Sequence, residues 1–480
     1  MRPASLHIIS FICLLLSAVP PAYTRGAAPR LYPAETHSPD MRSEGKESIF
    51  DLKLSWINSA EKYIDIEVWN MWKYDRGPVR ELYDALEEAC RRGVKVRIAV
   101  GALDDEDEHI SSGFFECPDI EVINTRIPAH SKYMIVDEKK VTAGSANWSW
   151  SAMVQNYEYN LCAECPDTSL AFTYFFESLW EAEGGEVRNS GSYPDNPAVI
   201  PLAQGSYTPE EFTSVYEYQL REIENAREKI FVSIYRYLPF FSDIRERIHS
   251  GLRDAARRGV KVKLLIDEST YDRSSQELID ALAGEKNIYV KINDLSAAPP
   301  IDGSGINHTK IFLVDGTGGA VTSMNWDRFV FDDSGRDCGI AFEDEELYRL
   351  IENSFLKTWR SPYASWASGQ SPVMESVVKK PLIENLRVEN LSPYSAEFRA
   401  EFSESGKSGE TSVYFLWQRT PEGNRWEYQF PVIEKTASGS ISYLAEGLIP
   451  GAEYALTLQA VNRDFRVRAP VIYFRTPAHQ

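Results

Sequence analysis

Two short runs carry the residues of this chain best suited to chemistry. The first is His130-Ser131-Lys132, then the apolar run Tyr133 to Val136, Asp137, six further residues, and Gly144-Ser145-Ala146-Asn147-Trp148. The second is His308-Thr309-Lys310, then Ile311 to Val314, Asp315, six residues, and Thr322-Ser323-Met324-Asn325-Trp326. The spacing is identical, and two matching copies are far harder to produce by accident than one. In a strand, residues i and i+2 share a side, so each histidine projects with its lysine toward one cleft. Asn147 and Asn325 follow a second strand and reach the same cleft. Two histidines, two lysines and two asparagines suit a tetrahedral anion: the lysine and asparagine donors stabilise its oxygens. One imidazole attacks while the other protonates the leaving oxygen. His37, His109, His249 and His479 have no such repeat and read as ordinary surface or core histidines.

The elements that must position these residues are themselves repeated. A helical stretch Ser48 to Ala60, a strand Tyr63 to Trp69, an amphipathic segment Val79 to Arg92 and a strand run Gly93 to Val100 make up the first half. The same order recurs at Ser214 to Ala226, Ile230 to Tyr235, Ile244 to Arg258 and Gly259 to Ile266. Matching Arg-Arg-Gly-Val-Lys-Val blocks begin at Arg91 and Arg257, the signature of a duplication. Helix-period segments followed by β-branched runs are βαβ units, which predict α/β lobes with largely parallel strands. If the lobes pack about an approximate two-fold axis, the two motifs form one centre.

Such paired motifs closely resemble the phospholipase D superfamily, whose signature is His-x-Lys-x4-Asp-x6-Gly-[Gly/Ser]-x-Asn. The resemblance covers Ser48 to Arg360 and implies a covalent phosphohistidine intermediate with no metal or other cofactor. It implies His130 as nucleophile and His308 as general acid, later base, with the reverse assignment left open. An acidic residue after each motif holds a histidine ring; Glu158 and Asp337 match, in the manner of a triad's third member. Ser145 and Ser323 are assigned to substrate binding. Asp137 and Asp315 lie away from the cleft and read as scaffold. Thr322 replaces the signature's glycine and is expected to alter the backbone's approach to the phosphate.

The domain reading is a signal peptide over 1–28, a first lobe over 40–188, a linker over 189–209, a second lobe over 210–362 and a linker over 363–380. Short alternating strands then fill 381–478: Leu386 to Val388, Ala396 to Phe402, Val413 to Gln418, Trp426 to Val432, Tyr454 to Val461 and Val471 to Phe474. They predict an all-β sandwich. Its segment Gly447 to Asn462 resembles the part of fibronectin type III domains that carries their tyrosine corner. A domain of that kind is expected to bind a surface polymer or a protein.

Arg2 followed by the apolar run Ile8 to Val19 and by small residues reads as an export signal, so a secreted or periplasmic monomer is expected. Beyond it remain Cys90, Cys117, Cys162, Cys165 and Cys338. One or two disulfides are expected, with Cys162 and Cys165 a candidate pair, and a zinc site there lacks its other ligands. The net charge of -20 weighs against a general nucleic-acid binder. A phospholipid substrate with peripheral membrane contact is therefore preferred over DNA or RNA, and hydrolysis over cardiolipin synthase-like transfer or simple surface binding. The acidic run Asp104 to Glu108 reads as a solvated turn. Trp69, Trp72, Trp148, Trp150 and Trp326 are candidates for an apolar substrate wall or for core packing.

Overall fold

The same N-cap opens both halves. Ser48 accepts the backbone N–H of Asp51 at 3.3 Å and starts one helix; its counterpart Ser214 accepts that of Glu217 at 3.4 Å and starts another. This is seen in a computed structural model, which describes residues 30–37, 47–101, 109–188, 193–194, 199–237, 243–271, 273–295, 305–327, 335–367, 382–403, 412–419, 432–433, 439–461 and 466–478. The expected signal peptide, the acidic run Asp104 to Glu108, nearly all of the expected strand from Trp426 and His479 lie outside the described residues.

The first half runs β1 (Arg30–Thr36), α1 (Ile49–Ser59), β2 (Tyr63–Val68), α2 (Gly77–Arg91), β3 (Lys95–Val100), β4 (Ile120–Asn124), β5 (Lys132–Val136), β6 (Lys140–Gly144), α3 (Trp150–Val154), β7 (Glu158–Glu164) and α4 (Pro166–Ala182). The second runs β8 (Ile200–Gly205), α5 (Val215–Asn225), β9 (Lys229–Ile234), α6 (Asp243–Arg257), β10 (Lys261–Asp267), α7 (Arg273–Ala283), β11 (Ile288–Asn293), β12 (Lys310–Val314), β13 (Gly318–Thr322), β14 (Arg336–Glu343), α8 (Glu345–Trp359) and β15 (Ala364–Trp366). The first sheet is ordered β1-β7-β6-β5-β2-β3-β4. The second is ordered β8-β14-β13-β12-β9-β10-β11-β15, so it repeats the first strand for strand and adds one.

Three expectations change. The sheets are mixed: β2–β3–β4 and β9–β10–β11 pair parallel, whereas the strands carrying the histidine motifs pair antiparallel with their neighbours. A short turn joins each motif strand to the next, and short turns make antiparallel neighbours. The 189–209 stretch is not merely a linker, because it contains β8, which pairs with β14 as β1 pairs with β7. Likewise β15 falls in the stretch expected to link the second lobe to the C-terminal domain, and it pairs with β11.

One disulfide forms, as expected, but the candidate pair Cys162 and Cys165 does not, for a geometric reason. Cys90 is bonded to Cys117, while Cys162, Cys165 and Cys338 are free and buried. Cys162 faces the core between the first sheet and its outer helices, whereas Cys165 packs into the core between the sheets. Three residues apart on extended chain, they point to opposite faces.

Apolar alternation gives each sheet two buried faces. Ile64, Ile66, Val96 and Ile98 pack under α1 and α2, and Val232, Leu264 and Ile266 under α5 to α7. Tyr133, Ile135 and Val141 of the first lobe meet Ile311, Leu313 and Val321 of the second in one shared core, to which α4 and α8 contribute Phe172, Phe175 and Phe355. Among the described residues of the C-terminal part, β16 (Leu382–Glu389), β17 (Ser395–Ser403), β18 (Ser412–Arg419), β19 (Val432–Ile433), β20 (Gly439–Glu446), β21 (Glu453–Val461), β22 (Arg466–Arg468) and β23 (Ile472–Arg475) form two antiparallel sheets around Phe398, Phe415 and Trp417.

Inside the lobe junction, Arg336 is wholly buried and paired with Glu67 of β2 at 3.1 Å. Its guanidinium also donates to the carbonyls of Ser206 and Tyr207 and to that of Phe175. Tyr133 donates to the same Glu67 carboxylate at 2.6 Å. One cation thus joins both lobes, the segment between them and α4. Glu67→Ala strands that charge, and a loss of about 3–5 kcal/mol is expected. Urea unfolding of Glu67→Ala and of Glu67→Ala/Arg336→Met tests this: the double variant is expected to recover part of the loss.

Candidate active site

Each catalytic-type histidine lies just ahead of a motif strand whose first residue is its lysine, Lys132 for β5 and Lys310 for β12. Both lysine side chains fold back, and Nζ donates to the carbonyl of the lysine's own histidine at 2.5 and 2.6 Å. Asp137 and Asp315 sit in the turns at the far ends of these strands with positive φ. Their carboxylates accept N–H groups of residues 61–63 and 227–229 respectively. They pin each motif strand to its neighbour and take no part in the cleft.

The lobes complete each other's site. His130 Nδ1 lies 2.9 Å from Asp337 of the second lobe, and His308 Nδ1 lies 2.9 Å from Glu158 of the first. An ionised carboxylate only accepts, so each Nδ1 carries the hydrogen and each Nε2 offers its lone pair. The backbone crosses in the same way. Tyr157 donates to the Ile306 carbonyl at 2.9 Å and accepts from His308 N–H at 3.0 Å, while Arg336 donates to the Pro128 carbonyl at 3.1 Å. Such reciprocal contacts are what an approximate two-fold axis produces.

Ser145 and Ser323 do something other than bind substrate. Each is wholly buried and donates at 2.6 Å to the carboxylate of its own lobe, Ser145 to Glu158 and Ser323 to Asp337. Asn156 adds a second bond to Glu158 at 2.9 Å. The serines orient the carboxylates that orient the histidines.

Thr322 also departs from expectation. It is buried opposite Gly339, where an added Cβ would meet Thr322 Cγ2 at 2.7 Å. In the first lobe the pair is reversed: Gly144 lies opposite Asn160, and a Cβ on Gly144 would meet the Tyr159 carbonyl at 2.3 Å. The glycine has moved across the strand pair, and Thr322 fills the space opposite Gly339 between the strands.

Asn147 Oδ1 accepts the Asn70 N–H at 3.2 Å, and Asn325 Oδ1 is buried without a partner among the described residues. Trp69 flanks His130 with ring centroids 5.7 Å apart, and Tyr235 flanks His308 at 4.9 Å. Trp148 and Trp326 are core residues on the helix-facing sides, so of the five tryptophans considered it is Trp69 that stands beside a motif histidine. Sequence reading missed Tyr235, although it occupies the place of Trp69 in the aligned repeat. It also missed Lys53, buried with Nζ 4.8 Å from the Trp148 ring and lowered by burial to about 7. Among the other histidines, His37 stacks on Tyr157 and His249 bonds the Tyr237 hydroxyl. No cluster of three metal-ligating side chains occurs among the described residues.

Electrostatics follow from enclosure. Burial is the largest influence on both imidazoles and lowers them; Lys132 adds to this at His130 and Lys310 at His308, with the paired carboxylates opposing. Burial would raise the Asp337 carboxyl, but His130, Lys132 and the Ser323 hydroxyl bring it below the usual range. Lys132 is lowered by burial to about 8 and Lys310 well below its ordinary value, and both feel Glu158 and Asp337. The arrangement therefore holds two neutral imidazoles and two lysines whose charged forms an incoming anion stabilises.

Anion binding is accordingly expected to take up protons. Sulfate, whose charge is constant near neutrality, should bind more weakly as pH rises above about 8, because the free lysines are then uncharged. Calorimetry at pH 8.5 in two buffers of different ionisation enthalpy reads the uptake. Affinity constant from pH 7 to 9.5 would contradict it.

Comparison with known proteins agrees with this geometry. Residues 54–180 and 220–359 match the family described as cardiolipin synthase, PLD-like domain, one match per lobe. A probable phospholipase D of Caenorhabditis elegans is 25% identical over 374 residues, covering 65% of this chain and 66% of its own. The 5'-3' exonuclease PLD3 of Rattus norvegicus is 27% identical over 333 residues, covering 59% and 67%. The virion nicking-joining enzyme of Vaccinia virus (strain Copenhagen) is 27% identical over 326 residues, covering 59% and 75%. The chain spans about two thirds of the first two relatives. With a family match over more than half its length and both motifs in one cleft, this chain belongs to the phospholipase D superfamily of phosphodiester-cleaving and phosphodiester-transferring enzymes.

Proposed function

We propose that this protein is an exported phosphodiesterase of phospholipase D type, hydrolysing phospholipid headgroup esters through a phosphohistidine. The observation that carries the reading is the crossed pair of histidine–carboxylate contacts, each at 2.9 Å. His130 Nε2 attacks phosphorus and a P–N bond forms as the P–O bond to the leaving alcohol breaks. His308, protonated, gives its Nε2 proton to that oxygen. It then takes a proton from water, whose oxygen attacks phosphorus and returns His130 to its starting state. Lys132 and Lys310 stabilise the equatorial oxygens. Before substrate enters, the lysine charge disfavours imidazolium; a bound phosphodiester anion offsets it and lets His308 hold its proton. His130 is given the attacking role because its side chain is 20% exposed against 9% for His308.

A lipid substrate is supported by the relative described as a probable phospholipase D and by the chain's net charge of -20, which opposes polyanion binding. Nucleic-acid cleavage is the second reading. Trp69 and Tyr235 beside the histidines offer faces on which bases stack, and two of the relatives are described as an exonuclease and a nicking-joining enzyme. Export is supported by the Cys90–Cys117 disulfide, a bond that persists in oxidising compartments. For the C-terminal strands a fibronectin type III-like domain is proposed, supported by the Tyr454 hydroxyl accepting the Ile449 N–H at 2.9 Å in the segment that resembles a tyrosine corner. A surface polymer or protein is its proposed ligand, and the protein is proposed to act as a monomer.

The test uses protein with EDTA, vesicles of phosphatidylcholine or phosphatidylglycerol, and single-stranded DNA. Headgroup release in EDTA is expected, with a drop on the order of 10³-fold or more in His130→Ala. Cleavage of DNA without lipid turnover would overturn the substrate. Acid-labile phosphorus trapped on His130 in His308→Ala is the expected intermediate, and label on His308 in His130→Ala would reverse the roles.

A further inference from the structure

The backbones that lead into the two histidines are bonded differently, and one difference traces to one position in the repeat. Gly101 follows β3, and its counterpart at the end of β10 is Asp267. In the first lobe the glycine is obligatory: a Cβ there would lie 2.0 Å from the Ala129 carbonyl oxygen, one residue before His130. The Ala129 N–H instead turns inward to the Ile127 carbonyl of its own loop, at 2.8 Å. In the second lobe the counterpart of Ala129 is Asn307, and its N–H donates to Asp267 Oδ2 at 2.6 Å.

Asp267 is itself well braced. It is buried, and its other oxygen accepts both the backbone N–H and the hydroxyl of Ser269. The Asn307 side chain adds a second anchor by bonding Ser233 of β9 at 3.1 Å and the Thr309 hydroxyl at 2.8 Å. From the opposite lobe, Tyr157 holds the peptide groups on either side of Asn307. The backbone entering His308 is therefore fixed from β9, β10 and the first lobe, whereas among the described residues the residue just before His130, Ala129, has its N–H on a backbone carbonyl and not on a side-chain carboxylate. Burial raises the Asp267 carboxyl to about 7, and above that pH its bonds are charge-assisted, among the stronger ones available for such fixing.

We infer that Asp267 is a positioning residue for His308, holding the acid's backbone so that its Nε2 meets the leaving oxygen, a role its counterpart Gly101 cannot have in the first lobe. The inference rests on the reading of His308 as general acid. A group that must deliver a proton along one line is sensitive to misplacement of an ångström, so its backbone has more need of a fixed anchor.

Leaving-group dependence tests this separately from folding. Asp267→Asn keeps one acceptor and Asp267→Ala keeps none; kcat and KM are measured on an alkyl phosphodiester and on its p-nitrophenyl analogue, whose departure needs no acid. A loss in kcat on the order of tenfold on the alkyl ester is expected for Asp267→Asn, larger for Asp267→Ala. The loss on the p-nitrophenyl ester should stay within about threefold, with KM little changed. Equal losses on both esters, or none, in Asp267→Asn overturn the positioning role, and that variant suffices if Asp267→Ala does not fold. His308→Ala in the same assay reads the underlying assignment alone. A loss there that is independent of leaving group overturns His308 as acid, whereas a dependent loss alongside equal losses in Asp267→Asn overturns Asp267 alone.

Discussion

The structure depends on a reciprocal exchange: each lobe supplies the carboxylate that holds the other lobe's histidine. His130 with Asp337 and His308 with Glu158 are buried pairs that neither lobe contains by itself. Burying imidazoles, lysines and carboxylates together is costly unless every polar atom finds a partner in good geometry. Ser145, Asn156 and Ser323 supply those partners on the carboxylate side. Separating the lobes would strand all of these groups, so catalytic assembly and lobe docking are one constraint.

The docking surface is built to match. The residues immediately before the two carboxylates, Tyr157 and Arg336, carry the crossed backbone bonds, and Arg336 also anchors in Glu67. Around them the inner faces of both sheets share a core with α4 and α8. A fixed junction is what allows histidines from different lobes to be set against one phosphorus, since catalytic groups lose much of their effect when displaced by an ångström.

Duplication supplies two equivalent frames, but phosphodiester cleavage needs two unequal histidines. The lobes differ where that inequality can arise. Trp69 is replaced by Tyr235 beside the histidine, Gly101 by Asp267 behind it, and Lys53 by Gln219, which bonds the Trp326 indole at 2.9 Å. Other differences are neutral exchanges, such as the glycine that moves from position 144 to 339 across its strand pair.

The sequence by itself determined the repeat, the helices and strands that lead to each motif, and the set of groups meeting at the centre. Those follow from local rules: hydrophobic periodicity and identical motif spacing. It also marked Asp137 and Asp315 as scaffold. Edge strands β1, β8 and β15 were not legible, because a short strand is defined by the partner it meets rather than by its own pattern. The mixed sheet, the Cys90–Cys117 bond and the buried task of Ser145 and Ser323 were hidden for the same reason. Tertiary structure alone decided which carboxylate serves which histidine: Glu158 is nearer to His130 in sequence, yet packing about a pseudo-two-fold axis delivers it to His308, 150 residues away.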